Sequence, residues 1–123
     1  MHMPMMKPGA MSAQLSGASE VPPTSSTGSG KAVVNLDRGT KVLTWTVTYG
    51  GTTGPVTAGH LHGPAMPGAN AGVVVPFKGS MASPITGSAT LTDAQIADLE
   101  AGKWYVNLHT AAHPAGEIRG QVK

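Results

Sequence analysis

The sequence predicts an all-β domain: an antiparallel, Greek-key-like β-sandwich or flattened barrel of about eight strands with one short helix. Three observations carry this. Charged residues make up 11% of the 123-residue chain and aromatics 4%, against 17 glycines and 10 prolines, a balance that suits short strands and many turns better than a helical bundle. Apolar and polar residues alternate in several short windows, the period of a half-buried strand. Those windows are separated by clusters of Gly, Pro, Ser and Asn, which terminate strands. The length fits one domain with its own core.

The elements follow in order. Residues 1–11, Met-His-Met-Pro-Met-Met-Lys-Pro-Gly-Ala-Met, hold five of the seven methionines and His2. Two prolines and no periodicity make this a flexible segment, and the domain is expected over 12–123. Residues 12–18 predict an edge strand that ends at Glu20-Val21-Pro22-Pro23, and 24–30 a Ser/Thr/Gly loop. Strand 31–37 turns Ala32, Val34 and Leu36 inward. After a turn at Asp37-Arg38-Gly39-Thr40, strand 41–49 places Leu43, Trp45, Val47 and Tyr49 on one face and threonines on the other.

Strand 56–62 carries His60 and His62 on the face opposite Leu61, and a Gly/Pro/Ala loop over 63–71 leads into the apolar strand 72–77. Strand 85–91 precedes the one helical pattern, Thr92 to Glu100. There Thr92 and Gln95 have the spacing of a capping box, Ile96 and Leu99 form the buried side, and Gly102 ends the helix. Strand 103–109 points Trp104, Val106 and Leu108 inward, leaving Tyr105, Asn107 and His109 on the other face. Pro114 to Gly116 turn the chain into strand 117–122, with Ile118 inward and Glu117 and Arg119 away from the core.

Composition excludes several function classes. The formal charge is +2 and the eight Lys and Arg are scattered, so no basic stripe supports nucleic-acid binding. No apolar run approaches the roughly 20 residues needed to span a bilayer, so membrane insertion is not expected. With no cysteine, disulfides and thiolate metal sites are excluded.

The remaining chemistry lies in the histidines. Four of five fall into two pairs, His60-Leu61-His62 and His109-Thr110-Ala111-Ala112-His113. Residues two apart on a strand point the same way, so His60 and His62 form one jaw. His109 and His113, at a strand end and across a turn, form the second. His60, His62 and His109 lie on faces opposite the core-filling residues, between a strand face and the 63–71 loop that is the natural cover. Taken singly, each is an ordinary exposed polar residue; the four together favour a shared mononuclear metal site.

The chain also resembles the CHRD (chordin-like) domain family of bacterial exported proteins. The resemblance rests on Ala13-Gln14-Leu15-Ser16-Gly17-Ala18-Ser19-Glu20-Val21-Pro22-Pro23, on Ala58-Gly59-His60-Leu61-His62-Gly63-Pro64-Ala65, and on Trp104-Tyr105-Val106-Asn107-Leu108-His109-Thr110 continuing to Pro114-Ala115-Gly116-Glu117-Ile118-Arg119-Gly120-Gln121. These blocks stand in order over nearly all of residues 12–122. The resemblance implies a β-sandwich and a periplasmic or extracellular setting, any export signal having been removed. It implies no settled activity. The methionine-rich start and Met66 are departures from the family's pattern.

Ligand type ranks the metals. Structural zinc recruits cysteine and catalytic zinc keeps three ligands; calcium and magnesium want oxygens. Four imidazoles favour Cu(II), which tops the divalent affinity order. Copper is therefore expected first and zinc second, with iron or nickel behind. Asn107 and Glu117 are expected to accept the second ring N–H of a ligating histidine, although Glu117 could equally pair with Arg119 or a lysine, and Tyr105 shares the face of His109. His2, Met3, Met5 and Met6 are candidates for an auxiliary Cu(I) site, the alternative being an expression remnant.

Three functions are open: copper storage, delivery or tolerance; a redox enzyme resembling copper-only superoxide dismutase, with Arg119 drawing an anion to the metal; and a metal-free binding or adhesion module. A blue-copper role is disfavoured by the missing cysteine. Homo-oligomers or a metallochaperone partner are compatible with this pattern.

Overall fold

The computed structural model describes residues 9–123. Eight strands form one antiparallel sheet that curls into a nearly closed barrel: β1 (Ala10–Ser16), β2 (Ser29–Asp37), β3 (Val42–Gly50), β4 (Val56–His62), β5 (Val73–Pro76), β6 (Ile85–Thr90), β7 (Tyr105–Thr110) and β8 (Ile118–Gln121). One helix, α1 (Asp93–Glu100), joins β6 to β7, and a single 3-10 turn, Gly17–Ser19, follows β1. The order across the sheet is β5-β4-β7-β8-β1-β2-β3-β6. The all-β class, strand number and helix are those the sequence predicts.

The alternation explains the core. Ala32, Val34 and Leu36 on β2, and Leu43, Trp45 and Val47 on β3, are all buried. With Leu61, Ile85, Leu99, Trp104, Val106, Leu108 and Ile118 they fill the barrel interior. Each fully buried aliphatic or aromatic side chain contributes about 1.5–3 kcal/mol, so the interior is the apolar core. Helix α1 is held as its pattern predicts. Thr92 accepts from the Gln95 amide, the Gln95 side chain accepts from the Thr92 N–H, Leu99 is buried, and Gly102 leaves the helix at φ +77°.

Several boundaries differ, and β1, expected at an edge, lies between β8 and β2 and ends at Ser16. Ala10 and Met11, assigned by composition to the N-terminal segment, pair with Asn35 and Val34 of β2. The 24–30 loop ends earlier than predicted, because Ser29 and Gly30 already pair with Ser16 and Leu15. His2, Met3, Met5 and Met6 lie outside the described residues.

The arrangement that matters for function is the neighbourhood of β4, β7 and β8. Directly paired residues of antiparallel strands share a face, so three rows cross the outside of the barrel. His60 pairs with Asn107, which pairs with Arg119; His62 pairs with Tyr105, which pairs with Gln121; Ala58 pairs with His109. The loops from 63 to 72, 20 to 26 and 111 to 117 fold over these rows.

Candidate metal centre

Register brings three imidazoles together. His60 and His62 stand two apart on β4, and His109 on β7 lies one pair further along from Asn107, diagonal to His60. One ring nitrogen from each of the three can be chosen so that all lie within 4.8 Å of one another. The His60 ring meets His62 edge-on at 5.4 Å between centroids and His109 at 4.9 Å.

Hydrogen bonds fix the tautomers. His62 Nδ1 is 3.0 Å from the Ala71 carbonyl, and His109 Nδ1 is 2.9 Å from the Pro114 carbonyl. A carbonyl only accepts, so both Nδ1 atoms carry the hydrogen and both Nε2 atoms keep lone pairs. His109 Nε2 stands 3.1 Å from His60 Nδ1, close to the spacing of two nitrogens bonded to one ion at about 2.0–2.1 Å. His62 Nε2 is buried and has no hydrogen-bond partner. An orphaned buried acceptor costs about 1–3 kcal/mol, and coordination would remove that cost. The donor set and the orphaned nitrogen fit a metal ion.

Electrostatics point the same way. Burial, and then the neighbouring His109 and His62, hold His60 below the ordinary imidazole range. Burial also lowers His62, with His109 and Arg119 adding to it, against the opposing Ala71 and Gly72 carbonyls. Both rings are therefore held neutral, the form that binds metals.

The family model of the CHRD domain matches residues 11–122, nearly the whole chain. The chain belongs to the CHRD domain family. Among curated proteins and solved structures no match is found. The three histidines fall in the second and third blocks of sequence that suggested the family, so in this CHRD domain those blocks meet across the β4–β7 pair.

The other predicted site residues fare differently. His113 does not join the three within the described residues. Its backbone N–H and carbonyl close the turn with Thr110.

Asn107 and Glu117 do not hold histidine rings; backbone carbonyls of Ala71 and Pro114 do. Asn107 is buried and donates to Glu20 instead. Glu117 is fully buried, accepting from Ser26 Oγ at 2.6 Å, Thr110 Oγ1 at 2.7 Å and the Thr53 N–H at 2.8 Å. Burial raises its pKa, but these three bonds, with the charge of His113, outweigh that and hold it below the usual carboxylate range. It ties three loops together and pairs with neither Arg119 nor a lysine.

Arg119 is 2% exposed, so its charge lies beneath the covering loops and not on the open surface. It donates to Asn70 Oδ1 at 2.8 Å and to the Ala69 carbonyl, and its guanidinium carbon lies 3.5 Å over the Tyr105 ring. Tyr105 in turn stacks on His62, 4.8 Å between centroids and 3° from parallel. The Tyr105 hydroxyl donates to the Ala71 carbonyl and accepts from the Ala71 N–H. Arg119 and Tyr105 thus pin the covering loop, and the loop holds His62.

Sequence reasoning missed Glu20, read only as a strand break. It is 6% exposed, 87 residues from the Asn107 that bonds it. Burial pushes its carboxyl up to about 7, despite Arg119 and the Asn107 hydrogen bond. Gly116 admits it: a Cβ there would stand 2.7 Å from Glu20 Oε2 and 2.5 Å from Asn107 Nδ2, at φ +128°. The only signal in the sequence was that Glu20 is one of six acidic residues and stands inside a family block.

Proposed function

We propose that this CHRD domain is an exported copper-binding protein that holds one ion between His60, His62 and His109, serving copper storage, delivery or tolerance. The observation that carries the reading is His62 Nε2, buried without a partner beside two further imidazoles whose nitrogens lie within 4.8 Å. The protein's part is to keep these rings neutral, oriented by carbonyls and shielded by the 63–72 loop. Copper comes first because it tops the affinity order at imidazole sites and because the chain opens with a methionine- and histidine-rich segment. When bound, copper supplies a one-electron couple. A redox role of the superoxide dismutase type is the second function.

A second metal is favoured by one observation. Three imidazoles without a fourth are also a catalytic zinc donor set, so zinc is the competing ion.

The test is competition titration of the untagged, metal-stripped protein with Cu(II) and Zn(II), followed by EPR of the copper form. One tightly bound copper per chain with nitrogen hyperfine structure is expected. His60→Ala, His62→Ala and His109→Ala should each weaken it by roughly 100-fold or more, as expected for loss of a ligand where loss of an outer partner costs 10–100-fold. His113→Ala should change it less than about threefold. No stoichiometric metal in the folded wild type refutes the reading.

A further inference from the structure

Beside His62 and His109 lies a cavity of about 210 Å³. His62 and His109 are among its lining residues, with Glu20, Asn107 and Arg119. Its volume is that of about seven water molecules (about 30 Å³ each in the liquid), so it takes a small molecule.

The chemistry of its walls is specific. Arg119 is a buried cation whose hydrogen-bond partners, Asn70 Oδ1 and the Ala69 carbonyl, are neutral. Glu20 is the carboxyl beside it, and with its pKa pushed up to about 7 it keeps its proton in mildly acidic solution, where it donates a hydrogen bond and leaves the arginine charge unneutralised. Buried charges are normally paired, so a cavity with this lining is suited to an anion.

The cavity is also reachable. A separate cleft of about 460 Å³ opens between the 20–25 and 112–116 loops, and Glu20, Val21 and Ala115 line both spaces. Glu20 therefore stands between the surface and the imidazoles. A three-nitrogen donor set leaves an ion at least one open position.

We propose that this cavity is a binding pocket for a small anion, which would reach a metal held by the histidines and take a hydrogen bond from Glu20. The inference rests on the metal reading above and adds the ligand class and the residue that recognises it. Glu20 is a positioning group here, and Val21 shapes the entrance.

Azide is the probe. The copper-loaded full chain is titrated with azide at pH 6 and followed by its charge-transfer absorption and by EPR, with copper stoichiometry measured on the same samples. One azide per copper is expected. Glu20→Leu, which leaves an apolar side chain in the cavity, should bind azide about tenfold more weakly, the equivalent of one hydrogen bond. Glu20→Gln, which still donates, should stay within about threefold. Val21→Trp narrows the passage from a half-buried position, removes no buried polar group, and should weaken or slow azide binding even if Glu20→Leu does not fold.

Copper bound at one per chain in wild type and variants, with azide affinity and rate equal in all of them, overturns the pocket while leaving the metal site standing. Copper-loaded wild type that binds no azide does the same. Failure to bind copper overturns the metal reading and the pocket together, and the stoichiometry shows which has happened.

Discussion

Replacing Glu20 by Gln tests the polar layer through stability alone, without any metal. Burial raises this carboxyl from 4.5 to about 7 in the folded protein. Between those values the folded state binds a proton that the unfolded chain has released, so stability must fall as pH rises. At about 1.36 kcal/mol per pH unit, the loss amounts to about 3 kcal/mol by pH 7 and then levels off. Gln keeps the size of the side chain and an oxygen that accepts from Asn107, but it does not titrate.

His60 and His62 work in the opposite sense. Held below the imidazole range, they bind fewer protons folded than unfolded, so their effect is a loss of stability as pH drops below about 6.5. Both proteins share that loss, and the difference between them isolates Glu20. Urea unfolding at steps from pH 4.5 to 8.5 is the assay. Whatever the offset at pH 4.5, the variant should gain about 3 kcal/mol on the wild type by pH 8, on the order of 10 °C in Tm for a domain of this size. Parallel curves, or a wild type that gains on the variant as pH rises, refute the argument that Glu20 is buried as an acid.

Three further outcomes follow from named contacts. Tyr105→Phe removes the hydroxyl that bonds both the N–H and the carbonyl of Ala71; urea unfolding should show a loss of about 1–2 kcal/mol, and copper titration a weakening of up to about tenfold. Glu117→Gln replaces a carboxylate that accepts three hydrogen bonds in a fully buried place. That should cost about 3 kcal/mol, with copper stoichiometry unchanged in the folded protein, a result that separates a loop tie from a ligand partner. Gly116→Ala forces a Cβ against Asn107 and Glu20 at a positive φ; calorimetry should show a lower Tm by roughly 2–4 kcal/mol equivalent.

Much of this protein was legible in its sequence, and the reason is local. Strand periodicity set the inward residues of β2, β3 and β7 correctly, because alternation depends only on neighbours two apart. The capping box at Thr92 and Gln95 is likewise contained within one helical turn. Parity also placed His60, His62 and His109 off the core. Parity does not reach across the turn between Thr110 and His113, and His113 does not join the set among the described residues. Nor did it say that Tyr105, Asn107, Glu117 and Arg119, correctly placed outside the barrel, would all be buried. Their burial comes from loops whose contacts span tens of residues, such as Glu20 with Asn107 and Asn70 with Arg119. No short window of sequence contains that information.

The location of the histidines follows from the same layering. Inside the barrel they would displace apolar side chains packed without space for an ion, and on an open outer face water would compete for every nitrogen. Only beneath the loops are imidazoles dry enough to stay neutral yet reachable from solvent. The cover is tied to the ligands themselves. Ala71 accepts from the Tyr105 hydroxyl and from His62 Nδ1, Arg119 lies on the other side of Tyr105 and anchors Ala69 and Asn70, and Pro114 accepts from His109. Closing the 63–72 loop and orienting His62 are therefore one structural event. A change that loosens the cover loosens a ligand as well, so the integrity of the loop should appear directly in metal affinity, with no residue of the loop needing to touch the ion.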